Sequence, residues 1–179
     1  MMISEHISLA EATKSQEAIR KGLDNTPGMD EIEAMQLVAE KVFEPLRAAM
    51  GCPIPLTSFY RSDELNKAIG GSAMSDHCKG RAIDMDRDGL AGPTNADLFH
   101  HVREHLPFDQ LIWEFGDRTN PAWVHVSYRE EGNRGQVLSL QGGRCHEIPA
   151  VASLIGRGYK IPSQSLGRIQ VWRAEQLPS

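Results

Sequence analysis

Between Asp30 and Gly51 the apolar residues Ile32, Met35, Val38, Ala39, Val42, Leu46 and Ala49 recur every three or four positions. Side chains at that spacing fall on one side of an α-helix, so the segment predicts an amphipathic helix with its stripe on a core. Gly51 closes it, and Pro45, which lacks a backbone donor, is expected to bend it. Upstream, Ser8-Leu9-Ala10-Glu11 has the form of a capping box and predicts a shorter helix stopping near Gly22. The turn Asp24-Asn25-Thr26-Pro27-Gly28 separates the two.

Downstream the period shortens. Residues 54–61 are rich in β-branched and aromatic side chains and predict a strand, followed by a short helix over 63–68 and a break at Gly70-Gly71. Further strands are expected over 81–85, 109–115 and 123–128, with Thr94 capping a helix that runs to about His105. Residues 135–140 add a further edge strand. Early helices followed by a run of strands predict an α+β domain, its sheet mostly antiparallel and flanked by the N-terminal helices. Periodicity fades after Gln141-Gly142-Gly143, which divides the chain into a domain over 1–143 and an appended segment over 144–179.

Composition narrows the function. With 179 residues, 40% of them hydrophobic, the chain can bury one sizeable core. Its formal net charge of −5 excludes a broad basic surface, so nucleic acid is not an expected partner. No apolar run is long enough to cross a bilayer, and the N-terminus lacks the basic and apolar regions of a secretory signal. The expected location is the cytoplasm on synthesis, with release to a cell wall by phage lysis or carriage in a virion. Cys52, Cys78 and Cys145 form no C-x-x-C pair, so neither a disulfide framework nor a thiolate zinc site is expected.

The chemistry concentrates in Ser75-Asp76-His77-Cys78-Lys79-Gly80-Arg81-Ala82-Ile83-Asp84. Gly80 can turn the chain between an imidazole and a carboxylate. Beyond it Ala82, Asp84 and Asp86 share one strand face while Ile83 and Met85 take the other, so His77 and Asp84 can converge. Trp123-Val124-His125-Val126-Ser127 supplies a second imidazole on an alternating strand. Two imidazoles and one carboxylate leave a tetrahedral Zn²⁺ with an open position, as in catalytic sites. Cys78 would point away from His77 on an extended chain and reads as incidental. His100, His101, His105 and His146 lack motif partners, and Trp113 and Trp123 read as core or wall residues. Asp84-Met85-Asp86-Arg87-Asp88-Gly89 opens like a calcium loop, yet Asn95 stands where such a loop needs a bidentate Glu, and Pro93 falls inside it.

These motifs, with Ser58-Phe59-Tyr60-Arg61-Ser62, Leu65-Asn66-Lys67-Ala68, Gly70-Gly71-Ser72 and Phe108-Asp109-Gln110-Leu111-Ile112-Trp113-Glu114, resemble the zinc D-alanyl-D-alanine carboxypeptidase family. That family includes D,D-dipeptidases and phage endolysins that cut the L-alanyl-D-glutamate bond. The resemblance implies a hedgehog/D,D-peptidase-like fold, a Zn²⁺ held by His77, Asp84 and His125, and Arg61 and Ser75 at the substrate. Many members carry the catalytic carboxylate three residues before the last histidine, where this chain has Ala122. Glu114, on the strand expected to pair with that of His125, is the nearest alternative for the general base, with Arg61 polarising a carbonyl or holding a carboxylate. The implied activity is zinc-dependent hydrolysis of peptidoglycan stem peptides, by a D,D-carboxypeptidase or an L,D-endopeptidase. A non-catalytic zinc-containing module that binds wall peptides or serves in a virion is the competing expectation.

Overall fold

The Ser8 hydroxyl accepts from the Glu11 N–H at 3.1 Å, as a capping residue does, but helix α1 (Leu9–Ala12) stops after one turn. The Thr13 hydroxyl donates back to the Leu9 carbonyl at 2.9 Å and competes with the helix. Ser15 then caps a second helix, α2 (Gln16–Lys21), which Gly22 ends in the left-handed conformation. The single early helix expected from sequence is therefore two. The structure, a computed structural model, describes residues 1–148.

The long amphipathic helix forms as α3 (Met29–Val38) and α4 (Glu44–Met50), joined by a π-helical turn at Ala39–Phe43. Pro45 offers no N–H to the preceding turn, and the wider turn takes up the mismatch without ending the helix. Then follow strand β1 (Leu56–Ser58), helix α5 (Asp63–Ala68), a 3₁₀ turn at Asp76–Lys79, strand β2 (Ala82–Met85) and helix α6 (Asn95–His105). Strands β3 (Gln110–Glu114), β4 (Trp123–Ser127), β5 (Gln136–Gln141) and β6 (Arg144–Glu147) complete the chain as described.

The six strands lie in the order β1-β2-β4-β3-β5-β6. The sheet is mixed, not mostly antiparallel as expected, because β5 runs parallel to β3. The reason lies in which edges are free. β2 already occupies the outer edge of β4, so the chain leaving β4 must pass to the far side of β3 and there runs in the same direction as β3. Nor is β5 the edge, since β6 pairs with it beyond the Gly142-Gly143 turn. The boundary expected after residue 143 falls within this hairpin, and most of the segment over 144–179 lies outside the described residues.

The crossing from β4 to β5 is pinned by charge. The buried Asp109 carboxylate accepts from the Arg134 backbone N–H at 3.1 Å, from its Nε at 2.9 Å and from its Nη2 at 2.5 Å, while Arg129 Nε lies 3.2 Å away. These arginine contacts, opposed by burial, hold the Asp109 carboxyl below its usual range. A depressed carboxyl stabilises the fold above its unfolded pKa, and that contribution is lost as pH falls through the lower folded value. Asp109→Ala is expected to cost about 2 kcal/mol, below the 3–5 kcal/mol of a fully buried pair because both arginine ends are partly exposed. Thermal melts of both proteins across pH 7 to 3 check this: the gap between them should narrow toward the acid end.

On one face of the sheet Ile83, Met85, Leu111, Trp113, Val124 and Val126 join Ile32, Met35, Val38, Val42, Phe43 and Leu46 of the long helix and Leu98, Phe99 and Val102 of α6 in a single core. Burying each large apolar side chain is worth roughly 1.5–3 kcal/mol, so the core fixes strand register. A slip of one residue would send Asp84 and His125 into the core. The register therefore holds Asp84, Ile112, Glu114, Trp123 and His125 together on the opposite face.

Candidate metal centre

Gly80 ends the 3₁₀ turn at φ 64°, where its N–H donates to the His77 carbonyl at 3.2 Å. A Cβ at this position would stand 2.3 Å from the Glu31 carbonyl oxygen of α3, so only glycine lets the turn seat against that helix. Gly80→Ala is expected to lower stability by about 2–4 kcal/mol, from the left-handed backbone and the clash combined. Denaturant melts measure the loss, and a loss under about 0.5 kcal/mol would contradict the packing argument.

The turn points His77 at the face carrying Asp84 and His125, which stand directly opposite each other on β2 and β4. His77 Nε2 lies 3.2 Å from Asp84 Oδ2 and 3.3 Å from His125 Nδ1, and His125 Nδ1 lies 2.8 Å from Asp84 Oδ1. Ligand atoms about 2.0–2.1 Å from a tetrahedral Zn²⁺ stand about 3.3 Å apart, so the three fit one ion with little adjustment. His77 Nδ1 donates to the Phe59 carbonyl at 2.6 Å, which fixes the ring and leaves Nε2 free to ligate. All three side chains are buried, and their ligand atoms lie within 4.8 Å of one another.

Charge is concentrated here. Burial pushes the Asp84 carboxyl up, but His77 and His125 outweigh it and hold the group well below the usual carboxylate range. Burial lowers His77, and the neighbouring Asp84 only partly compensates. Burial also opposes charge on His125, yet its bond to Asp84 prevails and raises it. The trio thus places a buried carboxylate between two buried imidazoles, an arrangement suited to a divalent cation.

Glu114 sits two residues along β3 from the partner of His125, and its Oε1 is 4.0 Å from His125 Nδ1. Burial pushes its carboxyl up, opposed by His125. Trp123, opposite Glu114 in the β3–β4 register, weakly opposes that rise. Trp123, expected as a core or wall residue, stands two residues before His125 on the same strand face. The Ala122 N–H donates to the Glu114 carbonyl at 2.9 Å. The position where many relatives carry a carboxylate and the one where this chain has Glu114 are therefore neighbours.

Arg61 Nη2 lies 3.7 Å from Asp84 Oδ2, and its backbone N–H donates to the His77 carbonyl at 3.3 Å. Its buried Nε has no hydrogen-bond partner among the described residues. Arg61 and Asp84 line a cleft of about 670 Å³ that also touches Ser58, Tyr60 and Lys14. Ser75 starts the turn before His77 without a side-chain capping bond.

Two competing motifs resolve here. Burial and the Asp63 carboxylate push the Cys78 thiol up to about 11, which keeps it protonated and poorly nucleophilic. In the acidic loop after β2, the buried Asn95 amide donates to Asp86 Oδ1 at 2.8 Å and Asp88 Oδ1 at 3.3 Å. The same amide reaches the Pro121 and Ala122 carbonyls, so this loop closes around a side chain.

No curated protein matches the chain. The sequence model of one family, Peptidase M15, matches residues 5–127, a span holding all three potential ligands together with Arg61 and Glu114. That match covers well over half of the molecule, and with a buried His-Asp-His group able to hold a metal it makes the reading plain: the chain belongs to the Peptidase M15 family, a family of zinc-dependent metallopeptidases.

Proposed function

We propose that this protein hydrolyses peptide bonds in bacterial cell-wall stem peptides, on a hedgehog/D,D-peptidase-like fold, with His77, Asp84 and His125 holding Zn²⁺. The observation that carries the reading is a buried two-histidine, one-carboxylate group with a further carboxylate, Glu114, 4.0 Å from one ligand atom. A Zn²⁺ held there supplies Lewis acidity, acidifying a water and polarising the scissile carbonyl. Glu114 takes the proton from the attacking water and returns it to the leaving amine. The Phe59 carbonyl keeps the His77 ring in place. Arg61, with an unpartnered Nε beside the cleft, holds a substrate carboxylate or carbonyl. Ser75, whose hydroxyl is not spent on the turn, is available to the same ligand.

The test is incubation of the zinc-loaded protein with purified muropeptides and product identification by mass spectrometry. Loss of a terminal alanine identifies a carboxypeptidase, and a cut within the stem identifies an endopeptidase. No product from any wall type at full zinc occupancy would favour a non-catalytic zinc-containing module that binds wall peptides, the reading that Ala122 invites.

A further inference from the structure

Helix α6 carries two imidazoles that the candidate centre does not use. The helix is 11 residues long, and Leu98, Phe99 and Val102 bury its inner side in the core. His101 and His105 stand four positions apart, so they are neighbours one turn apart on its surface. Their spacing carries no motif on its own, but the helix makes each ring the partner of the other. The ring centres lie 4.7 Å apart, close to the 5.0 Å between His77 and His125. Two imidazoles that share one ion, each ring nitrogen about 2.0–2.1 Å from it, hold their ring centres about 4.5–5 Å apart. His101 is half-buried and His105 exposed, so an ion reaches the pair from solvent.

Charge favours a cation at this place. Glu104 Oε2 lies 3.7 Å from His105 Nε2, and the pair spans the C-terminal turn of α6, the negative end of the helix dipole. Burial and the neighbouring His105 lower the pKa of His101, against Glu104, which keeps its ring in the neutral form that ligates. We propose that His101 and His105 form a second metal site, which takes a divalent transition-metal ion through two imidazoles with water completing its shell. Imidazole suits zinc, copper and nickel alike. Helix α6 packs on the sheet face opposite Asp84 and His125, with Phe99 meeting Trp113 of β3 at 5.2 Å, so this site stands apart from the candidate metal centre and does not depend on hydrolysis there. Two ligands near solvent hold an ion less tightly than three buried ones, so this site fills after the centre and empties before it. The ion needs both rings on one helical turn and therefore clamps the end of α6.

The experiment titrates zinc-loaded protein with Ni²⁺ by calorimetry while the zinc content of the same samples is followed. Wild type should take up one further ion per chain and release no zinc. His101→Gln and His105→Gln each remove one ligand and keep a good helix former, so each should weaken Ni²⁺ uptake by about tenfold or more. A ligand that binds only the folded pair also raises the melting temperature. Ni²⁺ at about a hundredfold excess over its wild-type Kd should lift the Tm of wild type by several degrees and that of either variant by no more than about half as much. Circular dichroism confirms that both variants fold. Uptake undiminished in both folded variants overturns the proposal, because the ion is then held elsewhere. Wild type that takes up no Ni²⁺, or takes it up only by displacing zinc, overturns it as well.

Discussion

His125→Ala is expected to leave the protein nearly free of zinc and without measurable turnover. The substitution removes one of the three potential ligand atoms and also the 2.8 Å partner of the buried Asp84 carboxylate. Losing an outer partner of a metal ligand already costs 10–100-fold in affinity, so losing the ligand should cost more than about 100-fold. His77→Ala should behave alike, since His77 Nε2 faces the same point. Elemental analysis after dialysis, with circular dichroism to confirm folding, reads the outcome. Full zinc occupancy in both folded variants would remove these residues from the ligand set.

Glu114→Gln should separate metal binding from chemistry. The amide keeps the shape of the side chain but cannot take a proton. General-base catalysis contributes about 10²–10⁴-fold, so turnover at saturating substrate should fall by that factor while zinc content stays at about one per chain and KM changes little. Because the Ala122 N–H already bonds to the Glu114 carbonyl, Ala122→Glu on this background places a carboxylate on the adjoining backbone and should recover part of the rate. Turnover of Glu114→Gln near that of wild type would exclude Glu114 as the base.

Much of the centre is legible in the sequence because it depends on short-range geometry. A glycine-closed turn between His77 and Asp84, and two-residue alternation around Asp84 and His125, are enough to put three potential ligands on one face once the strands pair. The antiparallel pairing of β2, β3 and β4 follows from their shared apolar face. What the sequence hid was long-range or conformational. The parallel placement of β5 depends on β2 having taken the edge of β4, which no local pattern records. The π-helical turn is the response of a packed helix to Pro45, where sequence predicts only a bend. The early helix splits because Thr13 and Ser15 offer side-chain bonds that compete with its continuation. Phe115 was hidden differently: its left-handed φ of 52° leaves no compositional mark.

The account stands most directly on one titration. Metal-stripped protein is supplied with increasing zinc while hydrolysis of a muropeptide mixture is followed by mass spectrometry. It predicts no hydrolysis at the start, a rise in rate with each addition, and a break at about one zinc per chain, the stoichiometry of a single three-ligand centre with one open position. Hydrolysis that proceeds in stripped protein with chelator present, or no hydrolysis when the centre is saturated, would contradict it.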